Sequence, residues 1–308
     1  MTKTGEQLPG EISQAAAGGA TWRHYLELTK PRLSFMSVVT AMVGYLAAVP
    51  YSYWDLKRTF FVVLGTALCA GGVAALNMWM EGDTDAKMQR TAGRPIPAGI
   101  IAPGSAFVVG WMLCVAGLAV LFKLVNGMSA FLALATIVAY LAIYTPAKRW
   151  SRWNTELGAI SGALPPLIGW AAAGRTSPGL GWSLFAILFA WQMPHFFALA
   201  WTYRKDYAAA GMPMLSVVDP TGNALSRWTF VWTMLLTAAS VMPTLLGYCS
   251  WYYFAFAVAL DLWFLRSAFV FLDPARRDTE ARKLFLISIS YLPLLLLLLV
   301  ADRMIFRL

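Results

Sequence analysis

The chain has 308 residues, of which 59% are hydrophobic and 13% charged, about half the charged share of a soluble domain. That composition excludes an ordinary water-soluble fold, since water cannot be the solvent for most of such a surface. The net charge of +9 does not mark a nucleic-acid binder either. Its basic residues fall in short segments between apolar blocks and never form a phosphate-tracking stripe.

Residues 1 to about 30 form a polar lead-in that holds Glu6, Glu11 and Glu27 and has no apolar stretch. A cleaved secretory signal or an acid-poor transit peptide would look different, so a bacterial cytoplasmic membrane is the expected location. Nine apolar blocks follow, at roughly 33–50, 60–80, 104–122, 128–146, 155–173, 181–201, 228–247, 250–272 and 284–301. Each is close to the length a helix needs to cross a bilayer. Blocks this long and uniformly apolar do not fit alternating barrel strands. The expected fold class is therefore all-α, a polytopic membrane bundle of about nine transmembrane helices. Neither an internal repeat nor a linker divides the chain, so a single domain over 1–308 is expected.

Nine spans put the N-terminus and every second loop on one side. That side carries 17 of the 24 Lys and Arg residues and the other carries six, with Arg266 inside the eighth block. The bias predicts a cytoplasmic N-terminus and a C-terminus on the opposite face. Cys69, Cys114 and Cys249 lie in or beside apolar blocks at spacings that fit neither a zinc site nor a disulfide framework.

The densest polar cluster closes the second block. Asn77, Glu81 and Asp85 recur every fourth residue, which on a helix places them within about 80° of one another and about 6 Å apart per step. Two carboxylates and an amide oxygen on one stripe suit Mg²⁺, a hard cation that takes its remaining ligands from water or phosphate. Arg90 and Arg94 follow with Lys87, and a guanidinium fork matches phosphate oxygens. A solvated helix end with an Asp83–Lys87 pair would explain single charges. It does not explain why Asn77 and Glu81 carry the stripe into an apolar block, where polar groups usually face a cavity. Further on, Lys148 and Arg149 follow the fourth block, either as topology charges or as anion ligands. Trp191, Gln192 and His195 lie in the sixth block. Asp261 and Arg266, five apart in the eighth, read as an intramembrane pair or a lipid-edge feature.

The Asn-x-x-x-Glu-x-x-x-Asp stripe with Met88, Arg90-Thr91 and Arg94-Pro95 resembles the first aspartate-rich motif of the UbiA superfamily of intramembrane prenyltransferases. The lead-in from Tyr25 to Arg32, Tyr144-Thr145, Lys148-Arg149, the Pro165 to Trp170 stretch, Trp191 to Phe196, Asp206-Tyr207, Gly211 and Pro213-Met214 are similar to its haem O synthase branch. The resemblance runs from about residue 25 to 215. Relatives that prenylate quinone precursors carry a second aspartate cluster near the end of the sixth block. This sequence has Phe196 and Tyr203 there and keeps only Asp206, which implies a weaker second metal position and room for a bulky acceptor.

The resemblance implies a Mg²⁺-dependent transfer of farnesyl from farnesyl diphosphate to a vinyl group of haem B, inside membrane lipid. Asn77, Glu81 and Asp85 would hold the metal, with Asp206 beside them in the chemistry. Arg90, Arg94, Tyr144, Lys148, Arg149, Trp191, Gln192 and His195 would bind substrate. His195, in a Pro-His pair at membrane depth, becomes a candidate haem iron ligand; otherwise it is a hydrogen-bonded histidine within the bundle. The branch also implies delivery toward haem A synthase and terminal oxidase assembly. A quinone or chlorin prenyltransferase and a secondary transporter are the rivals, the latter expected to show inverted repeats with broken helices in matching positions.

Overall fold

The computed structural model describes residues 20–174 and 178–306. Lys3, Glu6, Glu11, Arg175 and Arg307, counted above among the lead-in and loop charges, lie outside the described residues, as does most of the lead-in. Among the described residues there is no strand. Eight helices are long and apolar enough to cross a membrane. They are α1 (Pro31–Ala48), α2 (Leu56–Met80), α3 (Pro103–Leu124), α4 (Gly127–Ala147), α7 (Pro178–Thr202), α8 (Asn223–Leu245), α9 (Trp251–Val270) and α10 (Arg277–Phe306).

The fifth block is built differently from the single helix expected. It is two short helices, α5 (Asn154–Ala163) and α6 (Pro165–Ala172), that meet at Leu164. Pro165 and Pro166 have no N–H to bond back into α5, so a new helix starts instead of the old one continuing. The pair still crosses the bundle. Before α5 and after α7 the chain stands at the same end: Lys148 pairs with Glu81, and Arg90 lies over the ring of Tyr203. Because α7 is a 25-residue helix, α5 and α6 together carry the chain across, giving nine passages. At the far end, Asn126 donates to the Ala171 carbonyl at 2.7 Å, and the Ser250 N–H donates to Asp302 at 2.8 Å.

Helix starts follow ordinary capping chemistry. Asp55 accepts from the N–H groups of Lys57 and Arg58 to open α2, Asn126 accepts from Ser129 to open α4, and α1 and α3 begin on prolines. Packing depends on close backbone approach, since lipid gives no hydrophobic force between helices. At the α1–α6 crossing a Cβ on Gly169 would lie 1.8 Å from the Ala41 carbonyl oxygen, so only glycine fits. The largest core cluster fills the space among α7 to α10, around Phe197, Phe264, Tyr291 and Leu295. Asp261 does not pair with Arg266. It accepts from Ser240 and Tyr291, each at 2.6 Å, and ties α8, α9 and α10 together. All three cysteines are free and buried.

Gly169→Val should cost about 3 kcal/mol or more of stability, because the added carbons overlap backbone that cannot move aside. Thermal unfolding of the detergent-solubilised protein measures it; a midpoint within a degree of the parent would show that α1 and α6 cross more loosely.

Candidate active site

The polar stripe sits where α2 ends. The helix stops at Met80, Glu81 departs from helical geometry (φ −103°, ψ 8°), and a single turn over Gly82–Asp85 follows. Hydrogen bonds four residues apart nevertheless continue, from Glu81 N–H to Asn77 O at 3.0 Å and from Asp85 N–H to Glu81 O at 2.7 Å. The expected stripe therefore survives the break, and all three of its side chains are buried.

Each member meets a different cation. The Lys30 ammonium donates to Asn77 Oδ1 at 2.7 Å, and Arg94 Nη1 donates to Asp85 Oδ2 at 2.6 Å. The Lys148 ammonium lies 2.8 Å from Glu81 Oε1 and donates to Oε2 at 3.1 Å. One shell further out, Arg149 grips Asp83 through both nitrogens, at 2.6 and 3.1 Å. Asp83 thus pairs with the fourth helix's loop and not with Lys87. Asn77 is held from its other side, its amide nitrogen donating to Thr145 Oγ1 at 3.2 Å. Thr145 follows a π-helical turn over Ala139–Tyr144, a local widening common at functional sites. The turn places the Tyr144 ring 4.6 Å from the Lys148 ammonium.

Charge in this cluster is out of balance. Three cations, Lys30, Lys148 and Arg94, face two carboxylates, Glu81 and Asp85. Burial opposes the charged form of Lys148, but Glu81 overrides it and holds Lys148 well above the ordinary lysine value. Burial likewise works to raise the Glu81 pKa, and Lys148 pulls it below the usual carboxylate range. At Lys30 the compensation from Glu81 and Asp85 falls short. Burial first, then Arg94 and Lys148, press its pKa down to about 7. It is also the only non-glycine residue with positive φ among the described residues (φ 46°, ψ 59°), a left-handed conformation that costs about 1–3 kcal/mol. Strain and a crowded positive charge at one residue mark a place where an anion fits. The motif around Tyr25–Arg32 includes Lys30, but its contact lies 47 residues away in Asn77, beyond what spacing reveals.

Below Lys30 a cavity of about 150 Å³ runs into the bundle, walled by α1, α2, α4, α5 and α6 and mostly apolar; Leu33, Val73, Ile137 and Pro165 belong to its lining, with Tyr140 near its top. Gln192 lies behind this wall. Its amide donates to the Ala159 and Leu188 carbonyls, and its Oε1 lies 2.0 Å from where a Cβ on Gly162 would be. Arg90 sits 5.1 Å over the Tyr203 ring. Asp206 is half-buried, and its carboxylate has no hydrogen-bond or ion-pair partner among the described residues.

His195 is stacked between Trp191 (4.7 Å) and Phe285 (4.8 Å), and its Nδ1 lies 2.8 Å from Ser288 Oγ. The Ser288 hydroxyl already donates to the Phe285 carbonyl at 2.6 Å. It must therefore accept from His195, which places the proton on Nδ1 and leaves Nε2 with a free lone pair. Trp191 closes the unit by donating to the Ser288 carbonyl at 2.8 Å. Ser288 and Phe285 lie in the ninth span, about ninety residues from His195, and no motif pointed to them.

Residues 37–289 match the UbiA prenyltransferase family. The chain belongs to the UbiA prenyltransferase family. It is 54% identical to the protoheme IX farnesyltransferase of Opitutus terrae over 95% of this chain and 99% of that one. To the protein of the same name from Solibacter usitatus it is 43% identical, over 91% and 99%. Among solved structures it resembles digeranylgeranylglyceryl phosphate synthase (TM-score 0.77, 16% identity, 92% of this chain and 98% of that). It also resembles a UbiA homologue from Archaeoglobus fulgidus bound to GPP and Mg²⁺ (TM-score 0.62, 13% identity, 90% and 99%). These likenesses establish the fold.

The donor set fits a hard divalent cation. Asn77, Glu81 and Asp85 offer only oxygens, and Glu81 Oε1, though close to Lys148, is buried without a directed hydrogen bond. Lys148→Met should destabilise the protein by about 3–5 kcal/mol, since it strands a buried carboxylate. The double variant Lys148→Met/Glu81→Gln should recover most of that loss. Denaturation midpoints of the three variants decide it, and equal losses in single and double variants would mean the pair is not coupled.

Proposed function

We propose that this UbiA-family enzyme transfers the farnesyl group of farnesyl diphosphate to a vinyl group of haem B, giving the hydroxyethylfarnesyl product haem O. The observation that carries this reading is the 54% identity to a protoheme IX farnesyltransferase over 95% of the chain. The Mg²⁺ ion held by Asn77, Glu81 and Asp85 would neutralise the diphosphate and make it a better leaving group. Lys148, Arg94 and Lys30, exchanging carboxylate and amide oxygens for phosphate oxygens, stabilise the charge that builds there as the allylic C–O bond breaks. Arg90 joins them from the 81–102 loop. Arg149 acts through Asp83, and Asp206, with its carboxylate free, is the ligand available to a second metal position.

The apolar cavity beneath Lys30 takes the farnesyl chain and keeps water from the allylic cation, and the Tyr140 and Tyr144 rings lie near its charged end. The vinyl π electrons form the new C–C bond. Water then adds to the resulting cation beside the porphyrin and loses a proton, which leaves the hydroxyl. His195, with its Nε2 lone pair, is the proposed axial ligand that fixes the macrocycle. Trp191 and Ser288 hold its ring, and Gln192 sets the spacing of α7 and α5. The lysines and arginines of the site lie on the basic side of the bundle, so the site faces the cytoplasm of a bacterial inner membrane with the N-terminus inside. Haem A synthase and terminal oxidase assembly are the proposed recipients of the product.

Purified protein in lipid nanodiscs, given haem B, farnesyl diphosphate and Mg²⁺, should yield a haem heavier by one farnesyl chain and one hydroxyl group in mass spectrometry. Arg94→Ala should raise the KM for the donor roughly 10- to 100-fold, the worth of a charged hydrogen bond, and Arg94→Lys should restore part of it. Unmodified haem alongside turnover of a quinone precursor would overturn the assignment.

His195→Ala should shift the absorption spectrum of bound haem and lower turnover by about 100-fold or more, as expected when a substrate loses its fixed orientation. Identical haem spectra in the parent, His195→Ala and His195→Gln would make the histidine a packing residue.

A further inference from the structure

A second basic cavity lies away from the diphosphate site. It occupies about 510 Å³ between the end of α9 and the first turns of α10. Arg266, Arg276 and Lys283 line it against a single carboxylate, Glu280, an excess of two positive charges. The carboxylate is already taken by Lys283 at 2.7 Å, and Arg276 approaches Asp273 only to 3.9 Å. Arg266 has no hydrogen bond or ion pair among the described residues, although it sits four residues inside the end of a membrane-spanning helix. An uncompensated guanidinium at that depth is costly, and such residues normally meet a partner.

Ser267, beside it, opens on the same cavity. It is only 6% exposed, yet its hydroxyl oxygen has no hydrogen-bond partner. Hydroxyls in helices commonly bond the carbonyl four residues back, as Thr202, Thr229 and Thr233 do here; Ser267 does not. A free hydroxyl and a free guanidinium thus open on the same cavity, and neither is bonded to a protein acceptor.

The cavity's position names the acceptor. Asp278 at the start of α10 receives bonds from Trp201 at 2.7 Å and Arg204 at 3.1 Å, which sets this end of α10 level with the polar end of the bundle. Toward the membrane interior the lining turns apolar with Trp263, Val270 and Ile287, and the neighbouring Leu262, Phe269 and Leu286 are exposed on the outer surface. Charge above and grease below, at the lipid-facing edge, match one molecule class.

We infer that this cavity binds an anionic phospholipid, with its phosphodiester between Arg266, Arg276 and the Ser267 hydroxyl and its acyl chain along Trp263 and Ile287. A free phosphate shares the headgroup chemistry but leaves the apolar floor unused. Lipid binding there is separate from prenyl transfer and independent of which acceptor the enzyme modifies.

Native mass spectrometry of the full chain, with equimolar phosphatidylglycerol and phosphatidylcholine and inorganic phosphate as competitor, tests it. The parent should retain phosphatidylglycerol preferentially, and millimolar phosphate should not displace it. Arg266→Gln and Arg276→Gln should each weaken retention roughly fivefold, the worth of one cation near an anionic surface, and the pair roughly 25-fold. Arg58→Gln, at the opposite end of the bundle, should change nothing. If the double variant does not fold, the two single variants carry the test. Equal retention of the two lipids, displacement by phosphate, or parent-like retention in the Arg266 and Arg276 variants would overturn the proposal.

Discussion

Charges at the end of a membrane bundle have to be matched, and in this protein the match is made between side chains that belong to different helices. Glu81 and Asp85 come from the end of α2, Lys148 from the end of α4, Lys30 from the start of α1, and Arg94 from the loop between α2 and α3. Removing Lys148 or Arg94 leaves a carboxylate buried and uncompensated, and Lys30 adds a hydrogen bond to Asn77, so the four chain segments are held in register by polar contacts where lipid offers no hydrophobic force. The same contacts occupy the oxygens a metal would need. The resting site is thus a closed set of ion pairs, over-supplied with one cation and strained at Lys30. In the function proposed above, a metal-bound diphosphate, itself a net anion, would exchange these pairs for phosphate contacts and relieve the excess.

The remaining architecture is arranged around that charged end. The helix break at Leu164 and the π-helical turn before Thr145 both lie beside the cavity that leaves the charged end, with Pro165 and Tyr140 in its lining. On the far side of Gln192, α7 and α10 are tied by Trp191, His195 and Ser288, and the histidine tautomer is set by a serine whose own proton is committed elsewhere. A rigid aromatic sandwich around one imidazole is a suitable anchor for a flat acceptor.

Much of this was legible in the sequence because membrane solvent writes strong signals. Apolar blocks of about twenty residues gave the nine passages, and the four-residue spacing of Asn77, Glu81 and Asp85 gave the stripe. Arg94, nine residues beyond Asp85, was also legible beside that stripe, whereas the pairing of Lys148 with Glu81 spans 67 residues and was not. The failures were pairings over long distances. Asp83 reaches Arg149 and not Lys87, Asp261 reaches Ser240 and Tyr291 and not Arg266, and Lys30 joins the site across 47 residues. Side-chain pairing between spans depends on how helices rotate against each other, which is set by packing such as the Gly169–Ala41 contact and leaves no periodic trace. The proline pair at 165–166 was visible in the sequence, but its effect on the fifth span depends on neighbours that tolerate two short helices.

The central claim is that the carboxylate stripe is released to metal by the diphosphate. Electron paramagnetic resonance with Mn²⁺ in place of Mg²⁺ tests it most directly, on protein in nanodiscs with and without a non-reacting farnesyl thiodiphosphate. The account predicts metal affinity roughly tenfold or more tighter when the analogue is present, with that gain lost in Glu81→Gln. Equally tight Mn²⁺ binding without the analogue, or an undiminished gain in Glu81→Gln, would contradict it.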